Sequence, residues 1–169
     1  MQLNRNPDSL AQAAEELHSA VSELVRVYQF RDRDKICCYD ISVTQCYALE
    51  VLAETGPMRS QALADQLRLD KSTVTRVVDA LERKGYVERR KDADDSRALA
   101  LGITAGGRAL YQKINGELIA QQAALLADLD PDVRNAAADV IRRLARAADA
   151  RFKAGVSVGP ACCGPGTCS

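Results

Sequence analysis

Apolar residues recur at spacings of three and four near the start of the chain. Leu17, Val21, Leu24, Val25 and Tyr28 fall on one side of a helix predicted from Pro7-Asp8-Ser9 to about Arg31, with the charged stretch 31–35 expected to fray. Ser42-Val43-Thr44-Gln45 has the form of a capping box, and the helix it opens runs to about Glu54, with Val43, Cys46, Leu49 and Ala53 on one face and Gly56-Pro57 as its stop. A short helix over 60–67 turns Leu63 and Leu67 inward. After Arg68-Leu69, Asp70 caps a fourth helix over 71–84, where Val74, Val77, Val78 and Leu81 make a stripe at i, i+3, i+4 and i+7 and Gly85 ends it. The period then changes to two. Residues 86–90 are strand-like, and Leu99, Leu101 and Ile103 alternate with Ala98, Ala100 and Gly102, so a hairpin is predicted with 91–97 as its polar tip. Thr104 caps a fifth helix to about Leu126, and Asp130-Pro131 opens a sixth to about Phe152. The tail 155–169, rich in Gly, Pro and Cys, is expected to be irregular.

This order reads as mainly α with a small β-wing: a winged helix-turn-helix of about six helices, dimeric. Four segments follow. Residues 1–40 form a dimerisation helix and linker, 41–104 a winged helix-turn-helix, 105–153 two further dimerisation helices, and 154–169 a Cys-rich tail. At 169 residues and 47% hydrophobic, the chain can build a core, while its low aromatic content and its wealth of Ala and Leu favour helix. Basic and acidic residues balance at 23 each. A nucleic-acid surface therefore has to be local, and the dense block RKGYVERRKDADDSR over 83–97 supplies the charge for one.

The helix over 71–84 has the chemistry of a recognition helix. Opposite its valines it carries Lys71, Ser72, Thr73, Thr75 and Arg76, with Arg76 able to take a guanine edge bidentately. Ser60 and Gln61 open the preceding helix, where backbone N–H groups meet a phosphate. The wing adds Arg89, Arg90, Lys91 and Arg97. An arginine at a hairpin tip can enter the minor groove, and Asp95 is placed to hold the Arg97 guanidinium by a charge-assisted bond. Any single arginine here is most simply a solvated charge. The whole set in this order points to DNA.

The stretches SVTQCYALEVLAETGPMRSQALADQLRLDKSTVTRVVDALERKGYVERR and DADDSRALALGITAGGRAL resemble the multiple-antibiotic-resistance regulator (MarR) family, the second in the family's wing signature of Asp and Arg before an apolar strand, a Thr and a Gly. The resemblance covers roughly 40–110. It implies a homodimer whose first and last helices interlock. It also implies two winged lobes that reach successive major grooves of a palindromic operator, and a repressor released by a ligand or oxidant. Asp95 and Arg97 then take the wing roles, and Ser72, Thr73, Thr75 and Arg76 the recognition-helix roles. Ser96 departs from the pattern where many members carry a second Arg. Apolar residues of the last helices, among them Leu118, Leu126, Leu129, Val133, Val140, Ile141 and Leu144, are more than a lone small domain is expected to cover.

The family shares no cysteine pattern like the one here. Cys37 and Cys38 precede the second helix, Cys46 lies one turn into it, and Cys162, Cys163 and Cys168 lie in the tail. The first three fall where the resemblance places a ligand or oxidant site. Clustered thiolates suit soft ions such as arsenite or mercury. Adjacent cysteines in extended backbone diverge, so a third sulfur from elsewhere is expected. Disulfide formation is the rival reading. Cys46, on an apolar face, is more often a small core residue than a ligand. The spacing lacks a zinc pattern, and the single His18 is remote.

No GxSxG, P-loop or HExxH occurs, and one histidine leaves no plausible triad, so the chain is read as a non-enzyme. No obligatory cofactor is expected, arsenite or another thiophilic metal ion being the candidate inducer. No membrane association is expected, and the location is read as cytoplasmic.

Overall fold

A computed structural model describes residues 7–92, 95 and 97–153. Among the described residues six helices and three short strands follow in the order α1 (Pro7–Cys37), α2 (Val43–Thr55), β1 (Met58–Arg59), α3 (Ser60–Leu67), α4 (Lys71–Arg83), β2 (Val87–Lys91), β3 (Leu99–Ile103), α5 (Ala105–Leu126) and α6 (Pro131–Lys153). The chain divides into two compact units within α5, between Ala120 and Gln121.

In the first unit the caps predicted from sequence set the helix ends. The Ser42 hydroxyl accepts from the Gln45 N–H at 3.2 Å, and Gln45 Oε1 accepts from the Ser42 N–H at 3.0 Å, completing the capping box of α2. Gly85, at φ +72°, turns the chain out of α4. Arg68 is left-handed at φ 54° and closes α3. The core lies between these elements: Ile36, Leu49, Leu52, Leu63, Val74, Val78, Leu81, Val87, Leu101 and Ile114 are all buried.

The sheet is antiparallel with β3 in the middle, in the order β1-β3-β2. Val87 pairs with Ile103 at its base and Lys91 with Leu99 toward its tip, while Met58 and Arg59 pair with Leu101 and Ala100. The third strand was not expected. Two residues are too few to show a period of two, and their partner lies some 40 residues on. The alternation read for β3 also holds only in part. Ala100, Leu101 and Gly102 are buried, whereas Leu99 is exposed, because the strand starts near the tip, outside the core, and runs inward. At the other end Thr104 Oγ1 donates to the Gly85 carbonyl at 2.7 Å and accepts from the Gly107 N–H at 3.0 Å. This brings α5 so close to the strand that a Cβ at Gly107 would collide with the Tyr86 carbonyl.

The fraying expected at 31–35 does not occur. The helix continues to Cys37 because Ile36 is buried, Arg31 pairs with Asp32 at 2.8 Å over the Tyr28 ring, and Lys35 reaches Glu117 at 2.7 Å. Most of the α1 stripe read from the pattern is nevertheless uncovered, Leu17, Val21, Leu24 and Val25 among it.

In the second unit Pro131 is the first residue of α6. Arg134 ties the preceding turn, its guanidinium donating to the carbonyls of Leu129 at 2.7 Å and Ala127 at 2.9 Å. Val133, Val140, Ile141 and Leu144 are exposed along the helix.

Candidate nucleic-acid interface

The N-cap Asp70 organises the start of α4. Its carboxylate accepts the Thr73 N–H at 2.8 Å, the Thr73 hydroxyl at 2.6 Å and the Ser72 hydroxyl. These bonds, Ser72's foremost, hold the Asp70 carboxyl well below the ordinary carboxylate range. One consequence was not visible in the sequence. The hydroxyl protons of Ser72 and Thr73 are turned inward, and Thr75 Oγ1 donates back to the Lys71 carbonyl at 2.8 Å. The short polar residues therefore spend their hydroxyl protons within the first turns of the helix. Arg76 leans on Thr73 Oγ1 at 3.4 Å and keeps most of its donors for another partner.

Lys71, Ser72, Thr75 and Arg76 border an open hollow of about 500 Å³ on the outer side of α4. Val74, Val78 and Leu81 of the same helix are buried on the inner side. The structure thus brings together four of the five residues assigned to base readout, with Thr73 beneath them in the cap. Ser60 is the first residue of α3, and Gln61 donates to Asp65 at 3.0 Å. The N-cap residue of α3, Arg59, makes no side-chain cap bond.

Three charges of the wing have partners the sequence did not show. Arg89 does not face outward. It pairs with Asp79 at 2.5 Å and with Glu82, binding β2 to α4. Arg90 is exposed but pairs with Glu88 on the same face of the strand. Asp95 does not hold the Arg97 guanidinium: its Oδ1 accepts the Arg97 backbone N–H at 3.0 Å, and its Oδ2 lies 3.7 Å from Arg59. Arg97 and Lys91 are exposed. Arg59 was missed altogether. Its only sequence signal is a basic residue between Pro57 and α3, and its partner Asp92 lies in the wing loop.

The cysteines separate by environment. Cys37 ends α1 and Cys38 follows in the turn, its Sγ donating to the Asp34 carbonyl at 3.2 Å, and both are exposed. The doublet is therefore not in extended backbone, as the sequence reading assumed. Cys46 is buried in the core, and burial first, then the charge of Glu50, pushes its thiol up to about 11. Cys162, Cys163 and Cys168 lie outside the described residues. Among the described residues no three His, Cys, Asp or Glu side chains form a metal-holding group.

The turn after the doublet is gripped from two sides. Tyr39 donates its hydroxyl to Glu117 on α5, which Lys35 also holds, so the Glu117 carboxyl is lowered and the Tyr39 phenol raised. Asp40, left-handed at φ 56°, takes Lys84 at the end of α4 on its carboxylate at 2.8 Å and on its carbonyl. Nearby, a cavity of about 520 Å³ lies against α1 and α2, lined by Val25, Tyr28, Asp32, Val43 and Tyr47 among others. A smaller one of about 200 Å³ shares Asp32 and Tyr47 and reaches Cys46, Glu50 and Tyr111. No helix among the described residues is long and apolar enough to cross a membrane.

Residues 41–99 match the model of the MarR family. An HTH-type transcriptional regulator of Mycobacterium bovis is 31% identical over 140 residues, which span 81% of this chain and 95% of that protein. Among solved structures, a MarR-family transcription regulator superposes with a TM-score of 0.73 at 21% identity, covering 86% of this chain and 98% of the other. A MarR-family protein of Bacillus stearothermophilus superposes at 0.70 and 22% identity, covering 85% and 98%. Both carry the same fold. The motif match over the winged lobe and the near full-length relative together place this chain in the MarR family of transcriptional regulators.

Proposed function

We propose that this chain is a dimeric repressor that reads a palindromic duplex through α4 and the wing and lets go when a thiophilic ion or an oxidant reaches its exposed thiols. The observation that carries the DNA reading is the two-sided build of α4. Its valines are locked in the core while Lys71, Ser72, Thr75 and Arg76 surround an open hollow. A helix anchored in this way presents donors and acceptors rigidly to base edges, and Arg76 supplies the fork suited to guanine. The β2-β3 hairpin brings Lys91 and Arg97 to the flanking phosphates or minor groove, with Ser60 and Gln61 taking a phosphate at the start of α3. The open apolar stripes of α1 and α6 support a second copy as the partner that covers them.

Titrating a duplex enriched from random sequence by the protein itself tests this reading. Affinity falls steeply with salt, and Arg76→Ala weakens it by about 5- to 100-fold, the value of a bidentate base contact. A chain that ignores all duplex DNA at low ionic strength overturns it.

For the inducer, the exposed Cys37 and Cys38 are the attachment point. Cys46, buried and with a raised thiol, is not. Trivalent arsenic exchanges As–O bonds for As–S bonds, each thiol proton leaving in water, and needs a further sulfur beyond the doublet. The tail cysteines supply it in this reading. Metallation removes the Cys38 bond to Asp34 at the end of α1, and the strain passes through Tyr39 to α5 and through Asp40 to Lys84 at the end of α4. Arsenite then releases DNA from the unmodified chain but not from a Cys37→Ser, Cys38→Ser variant. Release by peroxide and not by arsenite transfers the function to disulfide formation. Release by neither removes thiol sensing.

A further inference from the structure

Arg59 is not among the residues expected to touch DNA, yet it links the start of α3 to the wing. Its backbone pairs with Ala100 in β1 and caps α3. Its side chain crosses 33 residues of sequence to Asp92, where the wing loop begins, with Nε on Oδ2 at 3.0 Å and Nη2 on Oδ1 at 3.1 Å. Asp92 is the loop's anchor. Its Oδ1 also accepts the Asp95 N–H at 3.1 Å, its own N–H donates to the Ala98 carbonyl at 3.0 Å, and its side chain is only 13% exposed. Asp95 Oδ2 lies 3.7 Å from the same guanidinium.

The loop's own composition is unfavourable for its task. The segment KDADDSR has one more acid than base, so by itself it repels a phosphate backbone. Arg59 sets a forked cation against Asp92 and within reach of Asp95. A bidentate pair on a shielded carboxylate also fixes direction, which a lone lysine does not.

We propose that Arg59 is the positioning residue of the wing: by clamping Asp92 and offsetting the charge of Asp92 and Asp95, it holds the two ends of the hairpin so that Lys91 and Arg97 meet the duplex. The proposal rests on the DNA-binding reading above and names how this chain supports its wing.

The test measures fluorescence anisotropy of the enriched duplex over a salt series, with the unmodified chain, Arg59→Ala, Arg59→Lys, Asp92→Asn, the double variant Arg59→Ala/Asp92→Asn, and Arg97→Ala. Arg59→Ala and Asp92→Asn each weaken binding about tenfold and lower the salt slope by about 1, as loss of one wing phosphate contact requires. The double variant is no weaker than either single one, since both break one clamp. Arg59→Lys, which keeps the charge without the fork, falls between. Thermal melts separate these losses from unfolding, and if Arg59→Ala melts early, Asp92→Asn and Arg59→Lys carry the test. If Asp92→Asn binds as well as the unmodified chain or better while Arg59→Ala is weakened, Arg59 touches phosphate itself and the clamp is wrong. If Arg97→Ala weakens binding but neither clamp variant does, the wing needs no clamp. An unmodified chain that binds no duplex sinks the DNA reading, and that result is distinct from both.

Discussion

Helices α4 and α6 have the same design in sequence and opposite fates in the structure. Each carries an apolar stripe at helical spacing and a strongly charged remainder. In α4, Val74, Val78 and Leu81 are at most 1% exposed, whereas in α6 Val140 and Ile141 remain more than half exposed. The stripe in α4 meets α2, α3 and β2 within its own unit. The stripe in α6 meets no equivalent among the described residues of its own. Amphipathicity thus states that a helix needs a covering surface, and not where that surface comes from. Among the described residues the lobe around α4 covers its own stripe, while α6 and the outer part of α1 leave theirs open.

The most severe way to probe this contrast is from the α4 side. Leu81→Ala leaves a cavity in a closed core and lowers the unfolding free energy by about 2–5 kcal/mol, measured by urea denaturation. A loss below 1 kcal/mol would mean that the lobe is looser than its burial indicates. On α6, Val140→Asp/Ile141→Asp abolishes self-association in sedimentation velocity and leaves the sheet and core resonances of the lobe in place. A variant that sediments as the unmodified chain does breaks the comparison.

A smaller effect sharpens it. Gly107→Ala forces α5 off the Tyr86 carbonyl and costs about 1–3 kcal/mol by the same denaturation measurement, the range for overpacking. Gly116, on the same helix with open space around it, takes alanine without loss. The smallest effect belongs to the cap of α4. The folded carboxyl of Asp70 lies below its unfolded value of about 3.9. Its contribution is therefore fully present above that pH and is lost as the pH falls toward the folded value. Asp70→Ala lowers the melting temperature at pH 7, and the gap to the unmodified chain narrows below about pH 4. A gap independent of pH would show that the carboxylate bonds are not its source.

Much of this was legible because it is local. Ser42 with Gln45, Asp70 before the valine run, Gly85 after it and Thr104 before α5 are capping signals complete within four residues, and each helix start they mark agrees with the structure. The outer face of α4 was legible as a set of residues, but the direction of their hydroxyl protons was not. That depends on Asp70 competing for them. The wing's charges were counted correctly, but the partners of two of them were not foreseen. Arg89 belongs to Asp79 and Glu82, and Asp95 shares Arg59 with Asp92, because ion pairs form by distance in space.

By itself the sequence determined the order of the six helices and the hairpin, the caps of α2, α4 and α5 and the winged layout, since periodicity and capping act over a few residues. Only the tertiary structure decided that Met58–Arg59 is a strand, that Ile36 draws α1 on to Cys37, that Cys46 is core while Cys37 and Cys38 face out, and that Arg59 reaches the wing. Each of these rests on a partner tens of residues away. No local pattern encodes such a partner, because the energy that selects it comes from burial and charge pairing once the chain has closed.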